Sequence, residues 1–101
     1  MSTAKYDLTG KVVVITGANS DIGKAAAVQL AETGAYVVMA CRSLERGAIA
    51  LDEVISRSGS ESAELLQVDM SSQGSIQEFV KAFLHRHERL DVLIHNAANF
   101  D

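Results

Sequence analysis

With 101 residues, 48% apolar and 22% charged, the chain has the size and balance of one ordinary globular domain rather than a disordered or fibrous segment. Its net charge of −4 argues against nucleic acid or an anionic membrane surface as a partner, and no run approaches the ~18 apolar residues of a membrane helix. Met1–Gly10 lacks the apolar core of a signal peptide, and the single cysteine, Cys41, excludes an internal disulfide and predicts a cytoplasmic location.

Val12–Thr16 is apolar and β-branched, which predicts a buried strand. The next residues, Gly17 to Gly23, form a glycine-bearing turn into a helical stretch, Lys24–Glu32. Ile22, Ala26 and Leu30 recur at i, i+4, i+8 as its expected apolar stripe, and Gly34 is placed to stop it. Tyr36–Cys41 predicts a second strand. A second helix begins near Ser43, with Ala48, Leu51, Val54 and Ile55 on one face and Gly59 just past its end. Ala63–Val68 predicts a third strand. In the third helix Ile76, Phe79, Val80, Phe83 and Leu84 form an apolar stripe, and Ser75 and Glu78 have the spacing of a capping box at or just inside its start. Val92–His95 predicts a fourth strand.

Apolar strands alternating with amphipathic helices imply an α/β fold, a doubly wound parallel sheet of the Rossmann kind. Right-handed crossovers give the strand order 3-2-1-4. The fourth strand then lies on an edge with nothing beyond it, so the fold is expected to be cut short there, and an apolar edge invites self-association.

A strand that turns through glycines into a helix is the recipe for holding a dinucleotide pyrophosphate, because free N–H groups and the helix dipole point at the anion. Gly17 allows the tight turn out of the strand, and Gly23 allows helix and strand to pack closely. Thr16-Gly17-Ala18-Asn19-Ser20-Asp21-Ile22-Gly23 resembles the TGxxxGxG motif of the short-chain dehydrogenase/reductase family, with Asp21 where the middle glycine belongs. The resemblance implies a cofactor loop built from Gly17, Asn19, Ser20, Asp21, Ile22 and Gly23. It also implies that Asp69, in Val68-Asp69-Met70-Ser71-Ser72, contacts the adenine edge beside Met70. A cap for the following helix is the other reading of Asp69. His95-Asn96-Ala97-Ala98 resembles the family's NNAG segment, which places Asn96 and Ala97 beside the adenosine.

Cofactor choice is read about 20 residues past the loop, where an acid grips the ribose of NAD and a base accepts the 2′-phosphate of NADP. Here Ala40-Cys41-Arg42-Ser43 has no acid. Arg42 suits a bidentate phosphate contact and Ser43 can assist from a helix start, so NADP is expected in preference to NAD. A solvated surface arginine is the alternative. The Ala-Cys-Arg run, with Gly-Ala-Asn-Ser upstream, resembles the retinol-dehydrogenase-like branch. Asp21 has two readings, a helix cap or a carboxylate that weakens pyrophosphate binding. Lys24 also has two, a phosphate partner or a solvated helix lysine. Cys41 reads as packing. His85 and His87, two apart on a helix, share no face, and no metal site is expected.

In the family a tyrosine followed four residues later by lysine exchanges the proton while hydride moves to or from nicotinamide. Tyr6 is followed by Gly10 and Tyr36 by Ala40, so no catalytic residue is assigned here. The resemblance therefore implies the NADP(H)-binding portion of an oxidoreductase acting on an alcohol or carbonyl, with the substrate bound only when a C-terminal half completes the fold. Two alternatives stand beside it: a non-catalytic dinucleotide-binding module, and an interaction protein that assembles through its exposed strand.

Overall fold

The computed structural model describes residues 7–96. Strands and helices alternate throughout: β1 (Val12–Thr16), α1 (Asp21–Glu32), β2 (Tyr36–Cys41), α2 (Leu44–Ser58), β3 (Ala63–Gln67), α3 (Gln73–Arg86) and β4 (Val92–His95). All strand pairs are parallel and the order is β3-β2-β1-β4, the arrangement the alternation predicts. β3 stops one residue short of the expected Val68, whose N–H still bonds the Cys41 carbonyl.

The period-2 side-chain alternation of β1 and β2 divides the core in two. Val13, Ile15, Val37 and Met39 pack under α1 and α2, whereas Val14, Val38 and Ala40 pack under α3 with Leu66 and Phe83. One face thus carries two helices and the other carries one. The uncovered part of the α3 face is an open apolar groove of about 360 Å³, lined by Val14, Phe79, Val80, Leu84, Leu90 and Leu93 among others. Ile76, Phe79 and Phe83 of the expected α3 stripe reach the sheet, and Val80 and Leu84 stay exposed along the groove.

In two helices one position of the expected stripe turns outward: Ala26, Leu30, Leu51 and Val54 pack on the core, but Ile22 and Ala48 do not. α1 buries Gly23, Ala27, Val28 and Ala31, while Ile22 is 75% exposed. The cause is Gly23: a Cβ added there would lie 2.5 Å from the Gly17 carbonyl oxygen and 2.8 Å from the Ala18 Cα. That close approach fixes the phase of the helix, and residues 27 and 31 follow onto the buried face at i+4 spacing. α2 buries Gly47, Ala50 and Val54, with Gly47 against Leu65 and Cys41, so Ala48 faces solvent.

Helix starts also differ in detail. α1 begins at Asp21 rather than Lys24 because Ser20 caps it, accepting the Gly23 N–H at 3.0 Å. Asp21 is therefore the first helical residue and not the cap. α3 is capped by Ser72, which accepts the Ser75 N–H, and Ser75 Oγ turns back to accept the Asp69 N–H at 2.7 Å. The expected Ser75–Glu78 capping box does not form. At the far end of the sheet the Asp91 carboxylate accepts the Val12 N–H at 2.8 Å and joins the entry of β4 to the start of β1.

Candidate functional site

Parallel register brings the C-terminal ends of the strands to one edge of the sheet. Thr16 pairs with Ala40 on one side and His95 on the other, and Cys41 pairs with Gln67. The segments that follow, which begin at Gly17, Arg42, Val68 and Asn96, therefore gather at that edge. An open α/β sheet binds ligands where its strand order reverses, here between β1 and β4.

The loop from Gly17 to Ser20 is held from three sides. The Gly17 N–H bonds the Ala40 carbonyl at 3.0 Å, and Ser20 returns both its N–H and its hydroxyl to the Gly17 carbonyl, at 3.1 and 2.9 Å. Asn96 closes the third side, donating from Nδ2 to Ser20 Oγ at 2.7 Å and to the Gly17 carbonyl at 3.2 Å. Gly17 has φ +63°, and a Cβ there would meet the Asn96 carbonyl oxygen at 2.6 Å. Both the turn and the contact require glycine. With Ser20 occupied by Gly23, the N–H groups of Asp21 and Ile22 have no protein acceptor among the described residues. Two free donors at the positive end of a 12-residue helix make an anion-binding cradle.

Arg42 is exposed beyond β2, and Ser43 next to it caps α2 by accepting the Arg46 N–H at 3.1 Å. Asp69 lies close enough to feel the Arg42 charge. Its carboxyl is held below the usual carboxylate range first by hydrogen bonds from Ser71 and then by Arg42. Asp69 so braces the turn into α3, and Met70 beside it is half exposed at the end of the groove. Ala97 lies outside the described residues, as do Tyr6 and the end of the His95–Ala98 segment.

The side chain of Asp21 is fully exposed, 3.9 Å from Lys24 Nζ. Lys24 is bound more closely to Glu53 on α2, at 2.9 Å. Cys41 is buried, and burial raises its thiol against the pull of the Asn19 and Ala18 backbone donors, as a packing residue requires. Tyr36 starts β2 at the opposite end of the sheet from the loop. Sequence reasoning missed the part played by Thr16, whose Oγ1 accepts the Asn96 N–H at 3.1 Å and shares a 2.9 Å hydrogen bond with His95 Nδ1. The signal was the identical position of Thr16 and His95 at the ends of neighbouring strands.

One edge of the sheet thus gathers two free N–H donors after β1, a guanidinium after β2, a carboxylate after β3 and a bracing asparagine after β4. Comparisons with known proteins show the family. Residues 11–100 match the family model described as short chain dehydrogenase. The human dehydrogenase/reductase SDR family member 13 is 47% identical over 91 residues, which are 90% of this chain and 24% of that protein. Human retinol dehydrogenase 11 is 43% identical over 94% of this chain and 30% of its own length. Among solved structures, menthone neomenthol reductase from Mentha piperita superposes with a TM-score of 0.83 at 33% identity, covering 88% of this chain and 32% of that one. The Pseudomonas aeruginosa RhlG/NADP active-site complex reaches 0.85 at 26% identity, over 97% of this chain and 38% of its own. The chain thus spans about a quarter to two fifths of the length of these relatives.

Proposed function

The chain belongs to the short-chain dehydrogenase family, with retinol-dehydrogenase-like relatives, and we propose that it is the NADP(H)-holding portion of an oxidoreductase that exchanges hydride with an alcohol or carbonyl. Arg42 carries this reading. It stands exposed two residues beyond Ala40, whose carbonyl anchors the Gly17 turn, so it flanks the cradle on the β2 side. A guanidinium there suits the extra phosphate of NADP through charge-assisted, bidentate hydrogen bonds, and no acid ends β2 to grip a free ribose hydroxyl.

The other residues have separate tasks. The free N–H groups of Asp21 and Ile22 receive the pyrophosphate, and Gly17 and Gly23 keep the loop tight enough to present them. Asn96 and Ser20 hold the loop to β4. Asp69 and Met70 border the adenosine end. A nicotinamide held here would give or accept the hydride. A small-molecule substrate belongs to this proposal only where a C-terminal half supplies its binding groups and proton donor. A cytoplasmic setting accords with the reduced, buried Cys41 thiol. Family membership favours this reading over a binding module without chemistry or a purely assembling protein.

The test is a fluorescence titration of the chain with NADPH and with NADH. NADPH is expected to bind more tightly, and Arg42→Asp to cost it about tenfold or more. Equal affinity of the parent chain for both nucleotides would refute the assignment.

A further inference from the structure

We infer that Asp21 sets the cofactor affinity of the loop, as a fixed negative charge that competes with the pyrophosphate for the positive end of α1. The inference rests on the dinucleotide reading above and adds a role for one residue of this chain. Ser20 caps the helix, so Asp21 is released from capping. Its side chain is fully exposed and accepts no hydrogen bond among the described residues. Its own N–H is one of the two free donors, and covalent geometry keeps the carboxylate within about 4 Å of that N–H. Any anion held by the donor therefore meets a like charge on the same residue.

Lys24 cancels that charge only in part. Its ammonium lies 3.9 Å from Asp21 but 2.9 Å from Glu53, the nearer and less exposed of its two carboxylates. The helix dipole favours an acid at this position, so Asp21 suits the free protein and opposes the loaded one. The consequence is a loop that keeps the shape of a dinucleotide cradle and holds its ligand more weakly than the cradle allows.

The experiment is calorimetric titration of the 101-residue chain and two variants with NADPH at low and physiological salt, with circular dichroism to confirm folding. Asp21→Asn keeps the volume and removes the charge, and Asp21→Gly removes both. Removing one like charge beside an anion in water corresponds to about three- to tenfold tighter binding. Both variants are expected to show it, with the larger gain at low salt, where screening is weakest. Unchanged or weaker binding in Asp21→Asn, with the parent still binding, overturns the role of Asp21 and leaves the cofactor reading standing. Tightening in the glycine variant alone assigns the effect to bulk and also overturns it. Folded parent and variants that all ignore NADPH and NADH at millimolar concentration would overturn the cofactor reading and this inference together.

Discussion

Gly23 does more to shape the site than any charged residue near it. A methyl group there would meet the Gly17 carbonyl and the Ala18 Cα, both backbone atoms without freedom to swing away. Gly23→Ala is expected to push α1 off β1 and lower stability by about 1–3 kcal/mol, the usual cost of overpacking. Urea unfolding checks this, and a parent-like midpoint would show that the loop yields more easily than its contacts indicate. The two loop glycines were legible in the sequence because a backbone that must turn or approach closely admits little else. The first turn of α1 was not. Ala25-Ala26-Ala27 has nearly the same hydrophobicity on every face, so periodicity favoured Ile22 while a contact across the loop favoured Gly23. Ser20 and Asp21 are both good caps, and composition could not rank them.

Among the elements, β4 depends on a carboxylate. Asp91 accepts the Val12 N–H and lies 3.1 Å from Arg89 Nε, and these bonds, the backbone one foremost, hold its carboxyl below the ordinary value. A folded pKa below the unfolded one of about 3.9 gives stability that is present above that pH and is lost as pH falls through the lower value. Glu53, held down first by Lys24 and then by Arg57, has the same sign. Asp91→Asn is expected to lower the melting midpoint by a few degrees at pH 7, and the gap from the parent should narrow as pH falls below about 3.9. A gap independent of pH would mean that the charge of Asp91 contributes nothing to the strand junction. The elements themselves were legible because seven alternating segments leave few topologies open. The Asp91 clasp was not, since it joins residues 79 apart through one side chain.

At the scale of the whole molecule the two faces of the sheet are unequal. Leu84, Leu90 and Leu93 are 60%, 45% and 57% exposed beside one another, on the face where α3 stands alone. Among the described residues β4 is an edge strand. A second copy pairing antiparallel along β4 would continue the sheet and leave both α3 helices on one face. The chain is therefore expected to self-associate, with a weight-average mass that rises with concentration in sedimentation equilibrium. Leu93→Lys, a charge on the edge, should return it toward the monomer. A parent chain that stays monomeric at high concentration would dispose of the edge-strand argument.

The pairing of β1 with β4 also fixes an order of events during synthesis. Val13 pairs with Val92, so 79 residues must leave the ribosome after β1 before that edge finds its partner. At ~5–20 residues per second this is a wait of roughly 4 to 16 s. β2 arrives long before, so the other edge of β1 closes early. Asn96, which ties Gly17 and Ser20 in place, emerges later still. The Gly17–Ser20 loop is thus translated early and finished only after β4 has emerged, and a nascent chain paused before Asp91 presents its most apolar strand half-paired to whatever chaperone waits at the tunnel.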